Sequence, residues 1–186
     1  MKFPLVVALA FVALPLTSVH ALETTNPAEP PTDPEPWIAD FEGIDIDLRD
    51  GWDGARACLT DGVTTECWDT EAEMLAAVGA TTPTVAGFAG GSGFRRASCS
   101  SFLRLYTGTN FTGTVLGFST QYTFLNLSGY GFNNVTSSYR MGGCPAAFYD
   151  LSNGGNPLYG GNTSPWATAS SMLAGWDNRI SSIYIG

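Results

Sequence analysis

Short stretches in which apolar and polar residues alternate run through much of this chain, and they predict β-strands. The clearest is residues 44–48 (IDIDL), whose period of two is typical of a strand with one buried face. Four more strands are predicted at 103–106, 115–118, 124–127 and 135–139. Turn-forming Gly, Asn, Thr and Ser residues separate them, so we expect antiparallel β-structure over the C-terminal half.

One helix is predicted between these two β-regions. Thr70 followed three residues later by Glu73 is a capping box, the usual start of a helix. Apolar residues then continue at helical spacing, and Gly79 is placed to end the helix. We therefore expect a short helix between Thr70 and Gly79.

The first 36 residues contain two segments with different predicted roles. Residues 1–21 combine Lys2, an apolar run and a small-residue cleavage site, which is the pattern of a secretory signal peptide. Residues 22–36 are rich in Pro, Thr and Glu and predict a disordered linker, and residues 81–97 predict a second, Gly/Thr-rich linker. We expect a secreted, extracellular protein with no membrane span.

Composition narrows the chemistry that the mature chain can perform. After residue 21 there is neither lysine nor histidine, which excludes Ser-His-Asp triads, Schiff-base lysines and histidine-ligated zinc. An enzyme that cleaves carbohydrate uses two carboxylates, and the C-terminal repeat offers only Asp150 and Asp177, the only acids after residue 94. We therefore expect no enzymatic activity.

Charge is unevenly distributed along the chain. Residues 22–94 hold two arginines against 15 acids, giving −13, whereas residues 95–186 hold five arginines against two acids, giving +3. The acidic region either contacts the basic one or is a solvated surface, and we favour the solvated surface. So acidic a chain is not expected to bind nucleic acid.

Four cysteines in a chain with a predicted signal peptide indicate two disulfides. Three connectivities are possible. Pairing Cys58 with Cys67 and Cys99 with Cys144 is favoured because each pair lies within one compositional region. These pairs leave no free thiol for catalysis.

The region 98–186 contains an internal repeat with a period of about 44 residues. Phe132 and Trp176 are 44 residues apart, and each precedes a similar hexapeptide. We name these the first hexapeptide (residues 133–138, NNVTSS) and the second hexapeptide (residues 177–182, DNRISS). Two copies of four short strands predict two packed antiparallel sheets.

This repeat resembles the βγ-crystallin family. Residues 106–113 (YTGTNFTG) are similar to the hairpin of a crystallin Greek key, and the hexapeptides are similar to the calcium-binding sequence of the family's microbial members. The resemblance implies an all-β fold, a β-sandwich of two tandem Greek-key motifs at 98–142 and 143–186. Before it we expect a short disulfide-bearing extension at 37–80 that contains the helix.

The resemblance also implies up to two calcium ions bound between the paired motifs. Their expected ligands are side-chain oxygens of Asn133, Asn134, Asp177 and Asn178, backbone carbonyls of Val135 and Arg179, and hydroxyls of Ser137 and Ser181. Backbone oxygens of Thr107 and Asp150, in the hairpins, are possible further ligands. Ser138 and Ser182 are expected to be structural.

The two copies are not equal. Residues 149–155 have glycine where the first copy has Phe111, so we expect a looser or differently shaped second hairpin. The first hexapeptide is neutral, whereas the second has Asp177 and a possible neighbour in Asp150, and fewer charges weaken Ca²⁺ binding. A purely structural interpretation stays open, because Asn and Ser also close turns by bonding nearby backbone.

Two functions are consistent with these features. The first is a secreted, non-enzymatic calcium-binding monomer in which calcium stabilises the fold or an interaction with a surface component. The alternative is a secreted peptidase inhibitor of crystallin-like fold, with residues 152–167 as the loop presented to an extracellular protease.

Overall fold

The computed structural model describes residues 37–79, 99 and 101–186 of the chain. These residues belong to one compact unit. The predicted signal peptide and both predicted linkers lie outside the described residues, and the domain boundaries stay predictions. Within the described ranges, no helix is long and apolar enough to cross a membrane.

The described residues form short strands, as the alternating pattern predicts, and one helix. The strands are β1 (Ile38–Phe41), β2 (Ile44–Asp47), β3 (Ala57–Thr60), β4 (Thr65–Trp68), β5 (Leu103–Gly108), β6 (Thr112–Phe118), β7 (Phe124–Asn126), β8 (Ser138–Arg140), β9 (Ala146–Leu151), β10 (Gly155–Leu158), β11 (Thr168–Ala169) and β12 (Ser182–Ile185). The helix is α1 (Glu71–Ala77), and 3₁₀ turns occupy Thr109–Phe111, Leu127–Tyr130 and Ser152–Gly154.

Two Greek-key motifs exchange their third strands to make two sheets. The first motif is β5 to β8 and the second is β9 to β12. One sheet contains the order β11-β8-β5-β6 and the other the order β10-β9-β12-β7, so β7 and β11 each join the sheet of the other motif. The predicted fold class, a β-sandwich of two tandem Greek keys, is confirmed.

The main core lies between the two sheets. Leu105 and Tyr139 on one sheet and Phe148 and Ile183 on the other are each at most 1% exposed and belong to one cluster. The ring of Tyr139 packs edge-on against that of Phe148, with 5.1 Å between centroids. Burial raises the pKa of the Tyr139 hydroxyl above its usual range. The core therefore locks the two motifs together.

Residues 37–79, which we call the N-terminal segment, extend the first sheet rather than standing apart from it. Strand β3 pairs in parallel with β6, with Ala57 opposite Val115 and Thr60 opposite Phe118. The sheet thereby grows to eight strands, in the order β11-β8-β5-β6-β3-β4-β1-β2. An edge that would expose unpaired backbone groups is covered in this way.

Helix α1 covers the outer face of this sheet. Thr70 and Glu73 form the predicted capping box, and Gly79 follows the helix with a left-handed φ of +69°. The Glu71 carboxylate accepts hydrogen bonds from the Tyr106 hydroxyl (2.6 Å) and from Nη1 of Arg104 (2.8 Å). Glu71 of the acidic N-terminal segment thus contacts the mildly basic repeat directly, whereas most other acids of the segment are exposed, as the solvated-surface prediction requires.

Both predicted disulfides are present. Cys58 and Cys67 are cross-strand partners in the β3–β4 hairpin, and Cys99–Cys144 joins the starts of the two motifs. The second closes a loop of 45 residues, for which the chain-entropy model gives roughly 4 kcal/mol of stabilisation.

One predicted strand is wrong in its position. The sequence predicts a strand over 135–139, but β8 begins at Ser138. Asn134 has a left-handed φ of +56°, which bends the chain before the strand. The backbone of residues 134–137 bonds instead to the second hexapeptide and to Tyr106.

Candidate functional site

The two hexapeptides lie side by side and exchange equivalent backbone hydrogen bonds. The Asn134 amide donates to the Ile180 carbonyl (2.9 Å), and the Asn178 amide donates to the Thr136 carbonyl (3.0 Å). Asn134 and Asn178 both have left-handed φ values, +56° and +55°, a conformation that asparagine tolerates better than most residues. The repeat in sequence is therefore a local two-fold arrangement in space.

This crossing pairs a serine of each hexapeptide with an asparagine of the other. Oγ of Ser137 lies 3.4 Å from Oδ1 of Asn178, and Oγ of Ser181 lies 3.0 Å from Oδ1 of Asn134. We call the surroundings of the first pair site one and those of the second pair site two. Each site takes residues from both motifs, as the resemblance implies.

A cleft of about 510 Å³ lies beside the crossed hexapeptides, lined by Asn178 of site one and also by Asn134 of site two. The residues that line the cleft are Trp52, Thr107, Thr114, Gly131, Phe132, Asn134, Val135 and Asn178. Four of these, Thr107, Asn134, Val135 and Asn178, are predicted ligands. The hydroxyl of Thr107 accepts the Thr114 amide at 2.9 Å, so its side chain serves the hairpin.

Site two has a different environment, because an ion pair lies beside it. Nη2 of Arg179 donates to Oδ2 of Asp150 at 2.7 Å, and the guanidinium carbon lies 5.2 Å from the centre of the Trp176 ring. The hydrogen bond to Asp150 raises the pKa of Arg179 above its usual value. The extra carboxylate that the sequence predicts near the second hexapeptide is therefore balanced by a cation of the same hexapeptide.

Two of the predicted ligands, Asn133 and Asp177, are not drawn into either serine–asparagine pair. Both are exposed, and neither is among the residues that line the cleft. Across the described ranges, no group of three or more His, Cys, Asp or Glu side chains is arranged to hold a metal. A cation bound between the hexapeptides would thus be held mainly by amide, hydroxyl and carbonyl oxygens.

The last serine of each hexapeptide closes the hairpin of its own motif. Ser138 Oγ donates to the Gly108 carbonyl (2.6 Å) and accepts the Phe111 amide (3.1 Å). Ser182 Oγ donates to the Leu151 carbonyl (2.6 Å) and accepts the Gly154 amide (3.0 Å). This is the structural role that we predict for them.

The turn of the second hairpin is not looser than that of the first, so that half of the prediction is wrong; the hairpin is differently shaped only in its following strand, where β10 has four residues and β6 has seven. Asn110 and Asn153 have nearly the same φ and ψ, at 56° and 33° against 53° and 37°. Gly154 occupies the place of Phe111, and a Cβ there would overlap the ring of Phe124 from β7. An aromatic ring from the other motif therefore fills the space that the missing side chain leaves.

The segment proposed as an inhibitor loop is largely tied down. Residues 155–158 form β10, and Tyr159 is buried. The Trp166 amide donates to the Gly142 carbonyl at 2.9 Å, while its side chain is 51% exposed. These features identify no protease, and the inhibitor function stays a prediction.

Residues outside the repeat also belong to the site, and sequence reasoning missed them. Trp52 lines the cleft although it lies 55 residues before Thr107 in an acidic region of different composition. No spacing relates Trp52 to the 44-residue repeat. The pairing of β3 with β6 and the hydrogen bond from Trp52 to Tyr130 bring it there.

Among solved structures, the chain is similar to βγ-crystallin domains. It matches a βγ-crystallin from Ciona intestinalis with 22% identity over 46% of this chain and 99% of that one, at a TM-score of 0.39. A βγ-crystallin domain from Flavobacterium johnsoniae matches with 26% identity, 45% and 92% coverage, and a TM-score of 0.38. A βγ-crystallin from an archaeon matches with 22% identity over 46% of this chain and 98% of that one, at a TM-score of 0.35.

No protein-family model matches the chain, and no curated protein matches it significantly. The strand order of the two sheets therefore carries the assignment of the fold, a crystallin-like pair of Greek keys.

Proposed function

We propose that this chain is a secreted, non-enzymatic calcium-binding protein in which Ca²⁺ binds at site one and holds the two Greek keys together. The single observation that carries the proposal is the spacing of the Ser137 hydroxyl and the Asn178 amide oxygen. They come from different motifs, and Asn178 also lines an open cleft.

Ser137 Oγ donates a long hydrogen bond to Asn178 Oδ1, and the same spacing also suits two oxygens that share one cation. An O–H···O hydrogen bond is about 2.5–3.0 Å long, and these oxygens are 3.4 Å apart. Two neighbouring ligands at right angles around Ca²⁺, each about 2.3–2.6 Å from the ion, are about 3.3–3.7 Å apart. The Ser181–Asn134 pair of site two, at 3.0 Å, is already within hydrogen-bond range.

The donor set fits Ca²⁺ and limits its affinity. Hard cations prefer oxygen. Site one has an amide oxygen and a hydroxyl, and Thr107 and Val135, whose carbonyls are expected ligands, line the adjoining cleft. None of these groups carries a formal charge. We therefore expect a dissociation constant of about 10⁻⁴–10⁻³ M, the range of extracellular calcium modules.

Extracellular location is supported by the two disulfides, because such bonds persist in oxidising compartments. The proposed non-enzymatic role is supported by a composition without lysine or histidine after residue 21.

The test is a calcium titration of the disulfide-bonded protein by isothermal calorimetry, together with thermal unfolding in EDTA and in Ca²⁺ at about 10 mM. With a dissociation constant of about 1 mM, Ca²⁺ at about 10 mM would stabilise the fold by about 1.4 kcal/mol and raise Tm by roughly 3–6 °C. An unchanged Tm together with no binding heat would refute the proposal.

Two variants assign the binding to site one. Asn178→Gly removes the amide oxygen while keeping a residue suited to a left-handed φ, and it is expected to abolish the calcium-dependent rise in Tm. Thr136→Val is the control, since the Thr136 hydroxyl is buried in the first hexapeptide, next to Ser137, with no hydrogen-bond partner among the described residues. We expect this variant to keep the rise. If both variants lose the calcium-dependent rise in Tm, or if neither does, the assignment of Ca²⁺ to site one is refuted.

A further inference from the structure

We infer that the N-terminal segment is the third component of site one, and that Trp52 couples calcium binding to the docking of this segment. The inference rests on the proposed function. It makes the affinity of a site built from the two Greek keys dependent on a segment outside both of them.

Trp52 holds the residues that lead into the first hexapeptide. Its Nε1 donates to the Tyr130 carbonyl at 2.9 Å, and its ring lies 5.6 Å from that of Phe132, centre to centre. Phe132 directly precedes the hexapeptide and is 1% exposed. A movement of Trp52 would therefore be transmitted through a fully packed neighbour to the first hexapeptide, which contributes Val135 to the cleft and Ser137 to site one.

The backbone of the N-terminal segment also approaches this point closely. Gly131 has a φ of +63°, and a Cβ on it would overlap the Leu48 carbonyl oxygen and lie 3.3 Å from Nε1 of Trp52. Leu48 is fully buried. Only glycine permits so close an approach, so the main chains of the two regions are in direct contact here.

The turn that carries Trp52 is anchored at both ends. The Leu48 amide donates to the Trp37 carbonyl (3.0 Å), and the Ala55 amide donates to the Trp52 carbonyl (2.8 Å). Immediately afterwards, the Arg56 carbonyl accepts the Val115 amide at 2.9 Å. The position of Trp52 is thus fixed by the same sheet that carries Thr114, another residue of the cleft.

Site two has no such component among the residues that the structure describes. Gly175 is equivalent to Gly131 and has a similar φ of +77°, but a Cβ added to it would meet no atom within 4 Å. Trp176, the equivalent of Phe132, contacts Tyr159 and Arg179 of its own motif. The N-terminal segment therefore distinguishes two sites that the repeat alone would make alike.

Coupling between binding and docking must be reciprocal. If the docked segment strengthens Ca²⁺ binding by some factor, Ca²⁺ strengthens docking by the same factor. Couplings of this kind commonly lie between about 5- and 150-fold. The coupling can therefore be tested from both sides, through the Ca²⁺ affinity and through the docking of the N-terminal segment.

The first measurement is the Ca²⁺ affinity of variants of the full chain. Trp52→Phe loses the hydrogen bond to Tyr130 and part of the cleft wall, and we expect its affinity to fall by about 5-fold or more. Trp68→Phe is the matched control, a tryptophan of the same segment that lines a different, acidic cleft. We expect its affinity to stay within about 2-fold of the wild type.

The second measurement is amide hydrogen exchange of the unmodified protein with and without saturating Ca²⁺. Exchange in residues 48–56 is expected to slow in Ca²⁺, because Ca²⁺ strengthens docking by the coupling factor. This readout needs no variant, so it decides the question even where Trp52→Phe does not fold.

The outcomes separate the two proposals. If the wild type binds Ca²⁺ through Asn178 while Trp52→Phe binds equally well and exchange in residues 48–56 is unchanged, the coupling is overturned and the proposed function stands. If the wild type shows no Ca²⁺ binding, the proposed function fails and the coupling fails with it. Slower exchange together with weaker binding of Trp52→Phe supports both.

Discussion

Site one and site two are built from nearly the same hexapeptide and have different surroundings. The backbone bonds that join the hexapeptides are equivalent, at 2.9 and 3.0 Å. Asn178 of site one lines an open cleft with a tryptophan wall, whereas Arg179 of the second hexapeptide forms an ion pair with Asp150 at 2.7 Å. The motif therefore sets the backbone geometry, and the neighbours set what each site can bind.

The difference has two local causes. The third position of the hexapeptide is Val135 in one copy and Arg179 in the other, so a positive charge is present only at site two. The N-terminal segment contacts the first copy, through Leu48 and Trp52. Site two has the larger number of carboxylates in sequence, yet site one has the better surroundings for a cation.

The largest expected effect tests the contact with the N-terminal segment. Gly131→Ala places a methyl group against the Leu48 carbonyl, and the backbone cannot relax without separating the two regions. We expect a loss of about 3 kcal/mol in the free energy of unfolding, measured by urea denaturation.

Gly175→Ala is the control for that substitution. It carries the same left-handed φ but meets no neighbouring atom, so only the backbone penalty of about 1 kcal/mol is expected. Equal losses in the two variants would show that the N-terminal segment does not distinguish the sites.

The next effect concerns the part of the repeat that is symmetric. Ser138→Ala and Ser182→Ala each remove a hydroxyl that closes a hairpin by two hydrogen bonds. We expect each to cost about 2 kcal/mol in chemical denaturation, because a carbonyl and an amide lose their partner. The two losses should agree within about 0.5 kcal/mol, the usual scatter of independent substitutions. A larger difference would mean that the asymmetry extends from the sites into the hairpins.

The smallest effect tests the charge at site two. Arg179→Val gives the second hexapeptide the third residue of the first and removes a cation near the site. We expect the Ca²⁺ affinity of site two to rise by about 5-fold, equivalent to about 1 kcal/mol, in a calorimetric titration. Val135→Arg, the reverse exchange, is expected to weaken site one by a similar factor. If neither exchange alters calcium binding, charge at the third position is not the cause of the difference.

Sequence reasoning could locate the hexapeptides because they repeat at a fixed distance and contain residue types suited to turns. It could also predict the helix, since Thr70 and Glu73 act within one turn of chain. It misplaced the strand at 135–139 because Asn134 and Ser137 bond to distant residues, Ile180 and Tyr106. It expected a loose second hairpin because nothing near Gly154 in sequence announces the ring of Phe124.

The sequence by itself determined the local features: alternating strands, the capped helix and two copies of one turn. These depend on interactions over a few residues or on a repeated pattern. Only the tertiary structure decided that β3 joins the crystallin-like sheet and brings Trp52 to site one, and that Arg179 pairs with Asp150 at site two. Such contacts depend on which surfaces the whole fold brings together, and no short-range pattern in the chain encodes that choice.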